Sequence, residues 1–201
     1  MPDCVSNAKR RKRRPKLADI NKRHLLVPFL MLAAVVIADQ LSKSYALNHL
    51  TEGRIHRVAG SFFQFKLVFN KGGALGTDFG SGAFYLISSL LILLIVIYLI
   101  VVNRDKLFIS VPIAAIAGGA AGNIIDRIRI GKVVDFIDVD FFDINAFGLN
   151  IDRWWVFNIA DAAITVGVIF LLVYLLFYGK KREVIESGAG LPTDKIAGKM
   201  N

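Results

Sequence analysis

Four runs of apolar side chains, each long enough to cross a bilayer, constrain this chain more than any other feature. A spanning helix needs roughly 17–25 apolar residues with few charges. The runs are about Leu25–Leu47, Ala83–Val102, Leu107–Ile125 and Phe157–Tyr178. In hydrocarbon every backbone amide must be satisfied internally, so single runs of this kind fold as helices. The expected fold class is an all-α polytopic membrane protein with four transmembrane helices. Composition agrees, because 55% of the 201 residues are hydrophobic, against about 45–50% apolar in soluble domains.

The net charge of +9 suggests nucleic acid at first sight, but its placement argues otherwise. Nine of the 25 Lys/Arg precede His24 and five follow Gly179, so they form terminal runs rather than a stripe on a folded face. Such runs read as solvated tails touching anionic lipid headgroups. The chain then divides into a basic tail (1–23), a four-helix membrane domain (24–178) and a polar tail (179–201). Together with the short "NRDK" turn, the tails hold 16 Lys/Arg against eight in the two longer loops. The positive-inside rule puts both termini in the cytosol and both long loops outside. Three further spans and the lack of a small-x-small cleavage site mark the first span as an uncleaved helix. The lone Cys4 excludes an intramolecular disulfide, and His24, His49 and His56 lack zinc-binding spacing. No metal, no cofactor and no nucleic acid are expected, and the protein is read as a monomer among membrane lipids.

The first long loop contains "GSFFQFKLVFN", aromatic, β-branched and bounded by glycine, which reads as one or two short strands. A small β-rich extracytoplasmic segment is therefore expected after the first helix. "NKGGALG" supplies the turn that follows.

Ionisable and amide groups inside or beside the spans gather at one level. Asp39 and Lys43 are four apart with the acid first, the favourable order on a helix. Asn123 and Asp126, then Asn158 and Asp161, are each three apart and share a helical face. Arg127 follows Asp126. With the derived topology these groups converge at the outer boundary. An ionisable residue in a span costs about 2.5–3.5 kcal/mol at mid-helix and is a functional suspect. Plain structural roles exist for most of them. Asp39–Lys43 reads first as an ion pair, Asn123 and Asn158 as caps, and Asp126–Arg127 as an interface anchor. Ala114, Gly118 and Gly122 form a small-residue face for close packing. Asp138, Asp140, Asp143 and Asp152 read as solvated loop acids. Asp161 resists the plain reading, backed by Asp135 in "GKVVDFID", a segment returning toward the membrane surface.

The sequence has no G-x-S-x-G, no H-E-x-x-H and no phosphate-binding glycine loop. Its abundant reactive group is carboxylate. Two carboxylates brought close share one proton; the ionised one can activate water and the protonated one can donate to a carbonyl oxygen. The chemistry alone fits an intramembrane aspartyl hydrolase, or alternatively a small ion-coupled carrier or lipid-binding protein using these residues as a relay.

Four segments in order resemble lipoprotein signal peptidase (signal peptidase II), a family of bacterial aspartyl peptidases with four transmembrane helices. "ADQLSK" is similar to the family's D-Q-x-x-K, and "FNKGGALG" to its F-N-x-G-A-A-F. "GGAAGNIIDRIRIGKVVDFID" is similar to G-N-x-x-D-R-x-x-x-G-x-V-V-D-F, and "FNIADAAITVG" to F-N-x-A-D-S-A. The resemblance implies a catalytic pair of Asp135 and Asp161, with Asp126 as the rival for the first position. It implies that Asp39, Lys43, Asn70, Asn123, Asp126, Arg127 and Asn158 bind substrate or orient the pair. The implied substrate is a diacylglyceryl-modified prolipoprotein cut before its lipidated cysteine, at the outer face of the bacterial inner membrane. Gly73, Leu75 and Ala162 depart from the family's commoner residues. The 25 residues between Asp135 and Asp161 are more than expected. The surplus loop Asp138–Trp155, with Phe141, Phe142, Phe147, Trp154 and Trp155, suits headgroup depth and is expected to lie across the site and gate access to it.

Overall fold

The structure, a computed structural model, describes residues 22–72, 82–140, 144–146, 149–151 and 155–179. Helices follow the four apolar runs: α1 (Lys22–His49), α2 (Gly82–Val102), α3 (Leu107–Ile130) and α4 (Ile159–Tyr174), the last continued by a π-helical turn, Leu175–Gly179. All four are long and apolar enough to cross a membrane. Leu91, Leu94, Ile95 and Tyr98 of α2, and Val166, Ile169 and Leu172 of α4, are exposed. Unpartnered apolar faces of this extent suit lipid rather than water. Helix α3 runs on past Ile125 to Ile130, because the polar residues that end its hydropathic run are held by partners within the protein.

Helix α3 is the hub, packing against α1, α2 and α4, while α1 also touches α4. Its "AGGAAGN" stretch permits this. A Cβ on Gly118 would lie 2.8 Å from the Leu32 carbonyl oxygen of α1, and one on Gly119 would collide with the Ala160 carbonyl of α4. A Cβ on Gly122 would strike the Asp39 carboxylate. Adjacent glycines thus admit a different helix on each side, in line with the small-residue face read from the sequence.

Strands β1 (Ile55–Ala59), β2 (Phe63–Asn70) and β3 (Val133–Val139) form one antiparallel sheet in the order β1-β2-β3. The segment "GSFFQFKLVFN", expected to form one or two strands, supplies β2, and β1 lies just before it. The third comes from the second long loop, so the β unit joins both. The link from α3 to β3 is short because Gly131 closes the helix at φ 72°, its amide donating to the Arg127 carbonyl at 3.0 Å. Only glycine takes that left-handed conformation freely. Register pairs Val68 with Asp135 and Asn70 with Val133. The other edge of β3 is held by Phe157, whose carbonyl accepts from the Phe136 and Ile137 amides at 3.1 and 2.8 Å. The strand that carries Asp135 is thereby tied to the first residues of the segment that starts α4. A small hairpin, β4 (Ile144–Ala146) with β5 (Leu149–Ile151), lies in the extended loop.

Asp138 corrects one expectation. It is not solvated but 3% exposed, and Gln64 of β2 donates to its Oδ2 at 3.0 Å. Strand β3 is buried on both faces, so alternation no longer marks an outward position. Asp143, Asp152, Gly73, Leu75, Phe141, Phe142, Phe147, Trp154 and residues 1–21 and 180–201 of the tails lie outside the described residues.

Candidate active site

At one end of the bundle, α1, α3, the start of α4 and β3 bring their polar groups together. The innermost unit is ionic. Lys43 Nζ lies 2.8 Å from Asp39 Oδ2 and 2.9 Å from Asp126 Oδ2, and it donates to Asn123 Oδ1 at 2.8 Å. An ammonium has three N–H donors, and all three are used. Lys43 is 2% exposed and Asp39 0%, so this is a buried triad. Such a unit is tolerated only when further hydrogen bonds support its carboxylates. Here both oxygens of each carboxylate accept at least one. Asp39 Oδ1 accepts the Ala160 amide at 2.9 Å, so a carboxylate from α1 neutralises a free amide in the first turn of α4. Asp126 Oδ2 also accepts the Val134 amide at 3.1 Å, fixing the start of β3. Gln40 Nε2 reaches Asp126 Oδ1, Asp39 Oδ2 and the Gly122 carbonyl at 3.1, 3.2 and 3.1 Å.

Two asparagines connect the triad to a pair of carboxylates. Asn123 accepts from Lys43 and donates from Nδ2 to Asp161 Oδ1 at 2.8 Å. Asn158 donates from Nδ2 to Asp135 Oδ1 at 2.7 Å, and the same group lies 3.2 Å from Asn123 Oδ1. Asn158 is also the N-cap of α4: its Oδ1 accepts the Asp161 amide at 2.9 Å while Asp161 Oδ2 accepts the Asn158 amide at 3.3 Å. This reciprocal capping box accounts for the acid one turn into an apolar helix. One asparagine therefore holds Asp135 through its side chain and Asp161 through its backbone.

Asp135 is 3% exposed. Burial first, and the neighbouring Asp161 carboxylate second, push its carboxyl up to about 7; hydrogen bonds from Asn70 and Asn158 and the Lys43 charge oppose the shift. Asn70 in turn accepts the Gly72 amide at 2.9 Å. Arg127 faces Asp161, Asp135 and Asp126, and its Nη2 donates to the Gly72 carbonyl at 3.3 Å, linking α3 to the chain after β2. Among the described residues no cluster of His, Cys, Asp or Glu is arranged to hold a metal ion.

All nine residues named from the sequence fall within this one network. The expected Asp39–Lys43 ion pair is present but is a triad with Asp126. Asn158 does cap a helix, whereas Asn123 lies in the body of α3. Gln40 was not singled out: its amide is neutral, and a search for ionisable groups passes over it. The signal was the glutamine of the D-Q-x-x-K segment, beside Asp39.

Residues 31–177 match the family model described as Signal peptidase (SPase) II. The lipoprotein signal peptidase of Pelodictyon phaeoclathratiforme is 36% identical over 149 residues, 73% of this chain and 88% of that protein. Those of Chlorobium phaeobacteroides (38% over 149 residues, 73% and 93%) and Lactobacillus gasseri (35% over 162 residues, 80% and 99%) are similar to the same degree. A solved bacterial membrane enzyme, determined by the in meso method at 1.9 Å, superposes with a TM-score of 0.62 at 33% identity, covering 75% of this chain and 93% of that one.

Proposed function

The chain belongs to the signal peptidase II family and is a membrane-embedded peptidase that removes signal peptides from prolipoproteins, and on that premise we propose that Asp135 and Asp161 are its catalytic pair. The observation that carries the assignment is the bridge through Asn158, which holds one carboxylate from β3 and one from α4 side by side. The rival, Asp126, has both oxygens committed to Lys43, Gln40 and the Val134 amide. A carboxylate so occupied serves as a strut rather than as a base.

Burial and mutual repulsion leave the pair with one shared proton near neutral pH. The ionised carboxylate takes a proton from water as the water oxygen bonds to the scissile carbonyl carbon. The protonated partner gives its proton to the carbonyl oxygen, producing a neutral gem-diol. Collapse re-forms the C=O bond, one diol hydroxyl returning its proton to the carboxylate that had donated, and breaks the C–N bond, the leaving nitrogen taking the proton that water gave up. Each carboxyl then returns to its starting state. Asn123 and Asn158 orient the pair, and the Asp39–Lys43–Asp126 triad fixes α4 and β3 beneath it. Arg127 and Asn70, which neighbour the pair, are the residues we assign to the substrate backbone.

The protein is an integral inner membrane protein. Its Lys/Arg distribution supports cytosolic termini and a site at the extracytoplasmic boundary. The substrate we infer is a diacylglyceryl-modified prolipoprotein, cut before the lipidated cysteine. Its acyl chains would stay in the bilayer and present the peptide bond at the depth of the pair. The family does not favour the ion-coupled carrier reading. In lipid, the purified protein should cleave a lipidated precursor and leave the unlipidated one intact. Asp135→Asn and Asp161→Asn should each abolish cleavage while the protein stays folded. Full activity in either variant, or loss confined to Asp126→Asn, overturns the assignment.

A further inference from the structure

We infer that Gln40 is a positioning residue for hydrolysis: its side-chain amide sets the separation of the two catalytic segments by holding both of their carboxylate struts at once. The proposal rests on the reading of Asp135 and Asp161 as the pair. Asp39 pins the first turn of α4, which carries Asp161, through the Ala160 amide. Asp126 pins the start of β3, which carries Asp135, through the Val134 amide. Gln40 is the neutral side chain that touches both struts, with Nε2 at 3.2 Å from Asp39 Oδ2 and 3.1 Å from Asp126 Oδ1. The same nitrogen reaches the Gly122 carbonyl at 3.1 Å, where a Cβ would strike Asp39. Loss of the amide therefore frees the α1–α3 contact at its tightest point.

Lys43 cannot replace it. Its three donors are already committed to Asp39, Asp126 and Asn123. Gln40 also shares with two members of the triad the wall of the nearest open space. A cavity of about 60 Å³, lined by Gln40, Lys43, Asp126, Arg129 and Val134 among others, lies on that side. This is ample room for water. The charged groups around Gln40 are Asp39 and Lys43 on its own helix, and Asp126 and Arg129 on α3. Those around Asp135 are Asp161 from α4, Lys43 from α1 and Arg127 from α3. Water reaching the triad through a shortened residue 40 weakens the struts without touching substrate.

The test is steady-state cleavage of a lipidated precursor by full-length Gln40→Ala, Gln40→Met and Gln40→Glu, each with a pH–rate profile and a thermal melt. A misplacement of about 1 Å costs on the order of 100-fold, so kcat should fall about 10- to 100-fold in Gln40→Ala and Gln40→Met with KM within about twofold. The alkaline limb of the profile should move to lower pH, because looser spacing weakens the repulsion between the carboxyls. Gln40→Glu adds a third carboxylate beside one ammonium and should be the least active. A residue that only fills space gives the opposite order, with Glu and Met near wild type. Wild-type kcat and profile in Gln40→Met overturns the proposal, as does a melt lowered with kcat and profile unchanged. If Gln40→Glu fails to fold, the alanine and methionine variants decide alone. Failure of Asp135→Asn to lose activity would strike the catalytic pair instead, and so is distinguishable.

Discussion

Replacing Asp135 by asparagine should make the protein inactive and, at alkaline pH, more stable. The folded protein holds the Asp135 proton with a value near 7, whereas an unfolded chain releases it near 3.9. The folded state thus binds this proton more tightly. Its contribution is most favourable below about pH 4, is lost as pH rises from about 4 to about 7, and is constant above that. A shift of about three units at about 1.4 kcal/mol each gives about 4 kcal/mol, an upper bound because asparagine still buries a polar group.

Asparagine keeps the shape and can still accept from Asn158 Nδ2 at the position of Oδ1, so the comparison isolates the charge. Thermal unfolding in detergent micelles, followed by helical circular dichroism at pH 5 and pH 8, reads the effect. At about 2–4 °C per kcal/mol for a chain of this size, even a quarter of the bound is resolvable. The gain of Asp135→Asn over wild type should be larger at pH 8 than at pH 5. A variant less stable than wild type at pH 8, or a gain independent of pH, refutes the idea that this carboxyl is held against its preferred ionisation. Gain of stability with loss of activity is the expected mark of a group strained for function.

Two further outcomes follow from the same contacts. Cleavage at limiting substrate should fall above about pH 7, by about tenfold per unit well beyond the limb, as the pair loses the proton it shares; a rate flat from pH 6 to pH 9 counts against the single-proton pair. Lys43→Met leaves Asp39 and Asp126 buried without their counter-ion, a loss of about 3–5 kcal/mol for such a site, to be measured by the same melt; a change under about 1 kcal/mol would mean the triad is not the strut described here.

The helices were legible because lipid leaves one solution for a long apolar run, and the glycine face of α3 was legible because close approach has a simple four-residue period. The site was legible as a set of residues. Its pairings were not, because they join elements far apart in the chain. Asp138 shows why the sheet resisted: it stands three residues from Asp135, so the two acids face opposite sides of β3, yet both sides are covered. Whether an acid points to water then depends on the partner strand, and here the partner supplies Gln64. Gln40 carries no charge to draw notice, though three acceptors surround its amide.

The deepest ambiguity lay between Asp126 and Asp135, two acids nine positions apart, of which the resemblance favours Asp135 with Asp126 as its rival. What separates them is a main-chain group. Because Gly131 turns the chain back on itself, the Val134 amide arrives at Asp126 and completes its shell. The next residue, Asp135, is carried past to face Asn158. A side-chain pattern cannot record a bond made by a backbone N–H, so the physical difference between the two carboxylates belongs to the turn, whichever acid the motif favours.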